Sequence, residues 1–226
     1  MNLSLGTEAL CAYLANQVSC FFPDSRVTGS AFRPFVEPAL ERLDYCLSGI
    51  KGKYCADADG STAFNHRNTD QYAMFLYFVS NEVYLRQGDP ALADKSYALN
   101  KALHGLDAFY EIALPDIFGF QHPVGTVLGR ARYSNYFFVY QRCSTGAKDR
   151  VYPEIGEGVV MYGGSSIIGN ARIGANVLLS AGTLVMGESI PDDSVVFGQS
   201  PSLTIKPTQR NVLSQFFNQR PASELR

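Results

Sequence analysis

The sequence predicts an α+β protein of several domains: an α-helical N-terminal domain (residues 1–106), a β-helix of six-residue repeats (107–207) and a C-terminal tail (208–226). Three observations indicate this arrangement. Apolar residues recur at helical spacing up to about residue 106. From Asp107 that spacing disappears, and short apolar pairs alternate with turn residues. Between Glu154 and Gly187 an aliphatic residue occupies every sixth position.

Four helices are predicted in the N-terminal domain. The first has an apolar face that includes Leu10 and Val18, and the others lie in the stretches FVEPALERLDYCLSGI, TDQYAMFLYFVSNEVYLRQGD and DPALADKSYALNKALHGL. We expect Asp89 to cap the fourth helix and Pro90 to occupy its first position. The aromatic residues of the third helix recur at helical spacing, which is more typical of a core than of a ligand site.

The six-residue period predicts one flat side of a β-helix per repeat. Its aliphatic column consists of Ile155, Met161, Ile167, Ile173, Leu179 and Val185. Three positions after most of them stand residues that tolerate a positive φ, namely Gly158, Gly164, Asn170, Asn176 and Gly182. A small or branched residue follows each of these. This pattern is that of one flat side of a β-helix with a corner at its end. An antiparallel sheet would instead need apolar and polar residues to alternate along each strand.

The composition argues against several functional classes. A net charge of −2, from 19 basic and 21 acidic residues without clustering, gives no electrostatic footprint for nucleic acid or an anionic membrane. No apolar run is long enough to span a bilayer and the N-terminus lacks the features of a secretory signal, so we expect a cytoplasmic protein. The five cysteines show no metal-ligand spacing, and we expect reduced packing residues.

Three histidines are the candidates for a general base near neutral pH. His104 ends a predicted helix, where the helix dipole explains it, and His66 lies in a polar loop. His122 lies in DIFGFQHPVGTVLG, where a turn would place it at the side of the β-helix. A carboxylate should orient a catalytic imidazole, and both Asp107 and Asp116 precede His122.

The repeats and the His122 segment resemble those of the hexapeptide-repeat acyltransferases, and within them the serine O-acetyltransferases. DRVYPEIGEGVVMYGGSSIIGNARIG follows that family's DRHPxIxxGVxIGAGAxILGxxxIG, and VVFGQSPSLTIK is similar to its closing segment. The fifteen residues from Asp107 to His122 match the separation in those enzymes. The resemblance implies a left-handed parallel β-helix of hexapeptide repeats and a homotrimer with active sites between subunits. It leaves open whether two trimers pair through the helical domain.

The resemblance also implies a chemistry. His122 would remove the proton of an acceptor hydroxyl as the oxygen attacks the thioester of acetyl-CoA, and Asp107 would hold the imidazole. Arg150 would match an arginine near the acceptor carboxylate. The coil backbone of that family meets the pantetheine arm of CoA at positions that correspond here to Gly163, Gly164 and Ala181. No metal is implied.

The departures from the family pattern concern the acceptor. Gln121 stands where the serine enzymes carry an Asp that contacts the substrate ammonium, and Val151 and Tyr152 replace a His after the DR pair. Asp70 corresponds to a second Asp that contacts serine in those enzymes, but a favourable charge at a helix N-terminus would explain an Asp at this position equally well. Because unpaired polar groups alter selectivity, we expect the acceptor to be L-serine or another small hydroxyl compound.

Alternative functions remain open. The fold also supports transfer to a sugar hydroxyl or an amino sugar in polysaccharide biosynthesis, and a non-catalytic assembly protein. A zinc enzyme of the carbonic-anhydrase type is disfavoured, since no histidine follows His122. The chain ends in ASELR rather than in the isoleucine through which serine acetyltransferases bind a partner enzyme.

Overall fold

The computed structural model describes residues 1–52 and 55–218, so residues 219–226 of the predicted tail lie outside the described residues. The N-terminal part contains four long helices: α1 (Thr7–Phe21), α2 (Gly29–Ser48), α3 (Thr69–Leu85) and α4 (Pro90–His104). A short parallel pair joins strand β1 (Asn2–Leu3) to β2 (Ala63–Phe64). No helix within the described ranges is long and apolar enough to cross a membrane.

Helix α3 is the centre of the helical part. It is buried along nearly its whole length, and the rings of Phe75, Tyr77 and Phe78 are at most 1% exposed. The Tyr77 hydroxyl donates to the carbonyl of Ile112 (2.6 Å) and accepts from the amide of Leu114 (2.9 Å), which ties the helix to the segment that leads into the strands. The prediction that the aromatic stripe packs in the core is confirmed.

The sequence predicts the first residue of α4 correctly but not that of α2. Helix α4 begins at Pro90 with Asp89 as its cap, as predicted, and the Asp89 side chain accepts from the amide of Ala91 at 3.0 Å. Helix α2 begins six residues before the predicted stretch and contains Pro34 inside it. Burial of Phe32 on that early turn offsets the hydrogen bond that the proline cannot donate.

From Asp107 the chain forms a parallel β-solenoid of about five turns with three faces. Face one contains β4 (Phe118–Phe120), β7 (Phe137–Val139), β10 (Val159–Met161), β13 (Val177–Leu179) and β16 (Ser194–Phe197). Face two contains β3 (Asp107–Ala108), β5 (Val127–Leu128), β8 (Ser144–Gly146), β11 (Ser166–Ile168) and β14 (Leu184–Met186). Face three contains β6 (Arg132–Tyr133), β9 (Glu154–Ile155), β12 (Arg172–Ile173) and β15 (Ser189–Ile190).

The register of the strands follows the six-residue period. Met161 pairs with Leu179 and Ile167 pairs with Val185, so one coil takes eighteen residues, or three periods. All six residues of the aliphatic column are at most 5% exposed, and they fill the interior of the coils. The predicted fold class, a helical region followed by a parallel β-helix, is confirmed.

The prediction of residues with positive φ at the corners is correct at four positions and wrong at one. Gly158, Gly164, Asn176 and Gly182 all have positive φ values. At the remaining corner the left-handed residue is Gly169 (φ 72°) and not Asn170. Strand β11 ends at Ile168, and the residue that follows it has no Cβ, so the glycine takes the left-handed conformation without steric cost.

The cysteines are free thiols, as expected, but their burial differs. Cys11, Cys46 and Cys143 are buried, whereas Cys55 is half-buried and Cys20 is exposed. The expectation of packing residues is therefore wrong for Cys20, which lies in the last turn of α1 on its outer side.

The end of the described chain returns to the helical part. Strand β17 (Thr204–Pro207) pairs antiparallel with β16, and the short helix α5 (Val212–Phe216) follows it. We call residues 208–218 the C-terminal strap. Its Phe217 forms an isolated antiparallel bridge with Ile50, just after α2.

Candidate active site

His122 lies at the corner between faces one and two, which we call the first corner. Strand β4 ends at Phe120, and β5 begins at Val127. His122 has a left-handed backbone (φ 52°), and its carbonyl accepts from the amide of Val124 at 2.7 Å. This tight turn places the His122 side chain at the surface, and the prediction of a turn at this position is confirmed.

A cavity of about 350 Å³ separates this corner from helices α2 and α3. It brings together three of the residues that the sequence singled out, Asp70, Gln121 and His122. The opposite side of the cavity is mostly apolar and contains Leu47, Ile50, Met74, Phe120 and Phe138. A concave, largely apolar site with a few polar groups at one end is typical of small-molecule pockets.

Asp70 is fixed by the start of α3. Asn68 caps this helix by accepting from the amides of Asp70 and Gln71. One oxygen of Asp70, Oδ1, accepts from the backbone amide of His122 at 3.2 Å, and no other described residue donates to its second oxygen. Burial raises the pKa of the Asp70 carboxyl above its usual value, against the lowering effect of the His122 amide and imidazole. Asp70 is thus both a helix N-terminal charge and a cavity residue, and its role in binding stays a prediction.

Asp107 is held by the last turns of α4. Its Oδ1 accepts from the Tyr97 hydroxyl at 2.7 Å, and its Oδ2 accepts from Nζ of Lys101 at 2.6 Å. Burial alone would raise the pKa of Asp107, but the hydrogen bonds from Lys101 and Tyr97 outweigh burial and lower it. Within the described chain neither Asp107 nor Asp116 makes a hydrogen bond to the His122 imidazole. The orienting role of Asp107 therefore stays a prediction that this arrangement does not display.

The backbones of Asp107 and the first corner are nevertheless direct neighbours. The amide of Asp107 donates to the carbonyl of Thr126 at 2.9 Å, and the amide of Gly125 donates to the carbonyl of Gly105 at 3.0 Å. Asp107 stands at the start of face two, with its carboxylate turned towards α4, whereas His122 stands on the corner.

The residues predicted to meet CoA share the first corner with His122. The amide of Gly164 donates to the carbonyl of Gln141, and the amide of Gly182 donates to the carbonyl of Gly163, so successive coils stack directly along this corner. At the spacing of paired strands, Gly163 lies about 10 Å and Ala181 about 14 Å from the level of His122. A Cβ on Gly163 would lie 2.8 Å from Nε2 of Gln141, so a larger residue there would displace the end of that side chain. The role of Gly163, Gly164 and Ala181 as cofactor contacts stays a prediction.

Arg150 lies at a different corner, between faces two and three. It has a left-handed backbone (φ 63°) in a turn where Lys148 and Val151 exchange backbone hydrogen bonds of 3.1 and 2.9 Å. Its side chain is exposed and does not line the His122 cavity. A site that contains both Arg150 and His122 would therefore combine two copies of the chain.

Sequence reasoning missed Lys51, Cys55 and Phe138 as cavity residues. Lys51 and Cys55 belong to the polar connection after α2, and Phe138 is one of many aromatic residues in the less regular repeats. No local pattern distinguishes them, because they meet only when the helical part packs on the first coils. No group of three or more His, Cys, Asp or Glu in residues 1–52 and 55–218 could hold a metal ion.

Comparison with known proteins gives a consistent result. No family model matches the chain. It is 29% identical over 133 residues to the serine acetyltransferase of Synechococcus elongatus, an alignment that covers 57% of this chain and 54% of the relative. It is 26% identical over 157 residues to the serine acetyltransferase of Staphylococcus xylosus, covering 64% and 68%. The chain thus spans only about half to two thirds of the length of these relatives.

Two solved structures share the fold at lower identity. The serine acetyltransferase of Vibrio cholerae superposes with a TM-score of 0.68 at 22% identity, covering 91% of this chain and 82% of that one. A serine acetyltransferase in complex with CoA superposes with a TM-score of 0.65 at 17% identity, covering 88% and 84%. Serine acetyltransferases are therefore both sequence relatives and structural neighbours of this chain, and its β-solenoid is consistent with the left-handed β-helix of hexapeptide-repeat proteins.

Proposed function

We propose that this chain is an acetyl-CoA-dependent O-acetyltransferase of serine-acetyltransferase type, which transfers the acetyl group directly to a small hydroxyl acceptor such as L-serine. The observation that carries the proposal is the cavity at the first corner, where His122 lies beside Asp70 and Gln121. The names of the two sequence relatives support the same activity.

In the proposed reaction His122 acts as general base. An alcohol is too weakly acidic to attack a thioester unaided, so a base must accept its proton as the oxygen bonds to the carbonyl carbon. The C–S bond then breaks, and the thiolate of CoA takes the proton back from His122. No described residue hydrogen-bonds to the His122 imidazole, so its nitrogens are accessible to the acceptor. Holding acceptor and donor in one complex supplies the remaining rate enhancement, and no metal is required.

The acceptor is proposed to be bound by groups of opposite charge. Oδ1 of Asp70 accepts from the His122 amide, and its second oxygen accepts from no described residue. That second oxygen could accept a charge-assisted hydrogen bond from the ammonium of an amino acid. Gln121 offers an amide oxygen and an NH₂ group and carries no charge. Arg150 of a neighbouring copy would bind the acceptor carboxylate as a bidentate partner.

The donor is proposed to lie along the first corner, with its pantetheine arm against Gly163, Gly164 and Ala181. Such a track would be closed by a neighbouring copy, so the proposed assembly is a homotrimer, with pairing of two trimers left to experiment. This donor also fits the cytoplasmic location that we expect.

The test is release of CoA, followed with a thiol reagent, from acetyl-CoA in the presence of serine, homoserine, sugars and amino sugars. We expect release with serine or another small hydroxyl compound and its loss in His122→Ala. His66→Ala is the matched control, because His66 is a partly exposed histidine that does not line the cavity. Release only with sugars or amino sugars would favour the polysaccharide alternative. If no acceptor supports release, the non-catalytic alternative gains.

A further inference from the structure

The C-terminal strap spans from the last coils to the helical part. Near its start it is held by Asn176, whose side chain donates to the carbonyl of Arg210 (3.1 Å) and accepts from the amide of Val212 (2.8 Å). Leu213 then covers Gly158, with a side-chain carbon 3.3 Å from where a Cβ would lie on that glycine. The strap therefore crosses the edge of face one that is remote from the first corner.

At its far end the strap is hydrogen-bonded to the segment that follows α2. The amide of Asn218 donates to the carbonyl of Gly49 at 2.9 Å, and its side-chain amide donates to the carbonyls of Ser48 and Ile50. Lys51 donates twice to the strap, from its backbone amide to the carbonyl of Phe216 (2.8 Å) and from Nζ to that of Ser214 (2.5 Å). Phe217 is fully buried between these contacts.

The residues that the strap holds are walls of the His122 cavity. Ile50 and Lys51 line it from the helical part, and Phe138 lines it from the solenoid. The ring of Phe216 packs on that of Phe138, with 5.2 Å between centroids. Gly119 lies directly against the Phe138 ring, because a Cβ there would lie 2.5 Å from it. The strap thus contacts both walls at once, one by hydrogen bonds and the other by an aromatic contact.

We propose that the C-terminal strap sets the width of the acceptor cavity, and that Phe216 and Asn218 are positioning residues that act through Phe138, Ile50 and Lys51. The proposal rests on the proposed function, in that it takes this cavity as the acceptor site. It assigns no chemical step to the strap. The cofactor positions lie on the first corner, away from the strap, so the strap affects the acceptor and not the donor.

The first experiment compares Phe216→Ala with Leu213→Ala. Both residues are half-buried on α5, but Phe216 packs on the cavity residue Phe138, whereas Leu213 packs on Gly158, which does not line the cavity. For Phe216→Ala we expect the KM of the acceptor to rise roughly tenfold, with kcat and the KM of acetyl-CoA changed much less, because ground-state positioning of the acceptor is what is lost. Leu213→Ala should leave all three constants near those of the wild type. Phe216→Leu, which keeps an apolar contact, should restore most of the acceptor affinity.

A second measurement does not depend on activity. Cys55 lines the same cavity, and burial raises the pKa of its thiol to about 11, so it should react slowly with iodoacetamide until the cavity opens. Its alkylation rate, read by mass spectrometry of the peptide, should rise in Phe216→Ala and in Asn218→Ala but not in Leu213→Ala. The exposed Cys20 serves as internal reference in each sample.

The outcomes separate the two proposals. If the wild type acetylates no acceptor while Cys55 alkylation still rises in Phe216→Ala and Asn218→Ala alone, the proposed function fails and the control of cavity width by the strap stands. If the alkylation rate and the acceptor KM stay unchanged in both variants, the inference is overturned. It is also overturned if Leu213→Ala shows the same changes, since a general loosening of the strap would then explain them. Asn218→Ala removes two side-chain hydrogen bonds of an exposed residue and keeps the backbone bond to Gly49, so the inference remains testable should Phe216→Ala not fold.

Discussion

Asp70 and His122 meet across the junction of the helical part and the solenoid, where Oδ1 of Asp70 accepts a 3.2 Å hydrogen bond from the His122 amide. The bond ties the His122 turn to the start of α3, and the His122 imidazole acts electrostatically on the same carboxylate. Because one carboxylate joins the two parts of the chain and also faces the cavity, its charge and its hydrogen bond can be tested separately.

Asp70→Asn keeps an oxygen for the His122 amide but removes the charge. For an acceptor that carries an ammonium, we expect the acceptor KM to rise by about ten- to a hundredfold, which corresponds to the loss of one charge-assisted hydrogen bond. The thermal unfolding midpoint should change little. Asp94→Asn is the control, since Asp94 is on α4 and accepts from Tyr110 outside the cavity. An unchanged KM in Asp70→Asn would remove Asp70 from the acceptor site.

Asp107→Asn tests whether this carboxylate leaves its observed partners to orient His122. We expect kcat to fall by about a hundredfold or more, because an imidazole without its orienting carboxylate is poorly placed as a base. Lys101→Met removes the ion pair and leaves Asp107 in place, so it should retain kcat. Equal losses in the two variants would mean that Asp107 serves only the contact with α4.

Arg150 and His122 lie at different corners of one solenoid, which predicts a site shared between copies. We expect Arg150→Ala and His122→Ala to be nearly inactive when each is made alone. When the two variants are co-expressed with different tags and purified as mixed assemblies, some sites should contain both intact residues and activity should return. Mixed assemblies that remain inactive would argue that each site lies within one chain.

His104 makes the stability of the helical part depend on pH. Its Nδ1 lies 2.8 Å from Oδ1 of Asn100, and burial lowers the pKa of its imidazole to about 4. The unfolded chain, with a histidine pKa of about 6.5, binds the proton first on acidification, so stability should be full above that pH and fall between about pH 6.5 and 4. The loss has an upper limit of about 3 kcal/mol. Urea unfolding of the wild type and of His104→Gln at pH 7 and pH 4.5 checks this.

The control for that experiment is His66→Gln, since His66 is partly exposed and bonded to Ser4 at the surface. It should keep the wild-type dependence on pH. A His104→Gln protein that loses as much free energy of unfolding on acidification as the wild type would contradict the assignment to His104.

The solenoid could be predicted from the sequence because its determinants repeat along the chain. Each coil needs an inward aliphatic residue such as Met161 and a residue that tolerates positive φ such as Gly164, and eighteen residues later the same needs recur at Leu179 and Gly182. A period that recurs several times outweighs any single deviation. The one turn placed wrongly, at Asn170, lies one residue from a glycine that serves equally well.

The cavity could be predicted only in part. His122 and Gln121 are adjacent in sequence, and the family resemblance indicated them together with Asp70. Lys51 and Phe138 line the same cavity because α2 packs on the first coils, and no local signal links two residues that are 87 positions apart in the sequence. The pairing of Asp107 with Lys101 was likewise missed, because it depends on where α4 ends.

The C-terminal strap also relates the number of coils to the length of the chain that follows them. It begins beside the last strand of face one and ends on Gly49, so its span equals the height of the solenoid between those points. One added coil would increase that height by about 4.8 Å, and the strap would need one or two further residues to reach the same carbonyl. Insertions of a whole eighteen-residue coil, which the solenoid itself would accommodate, would therefore pull the strap away from the cavity.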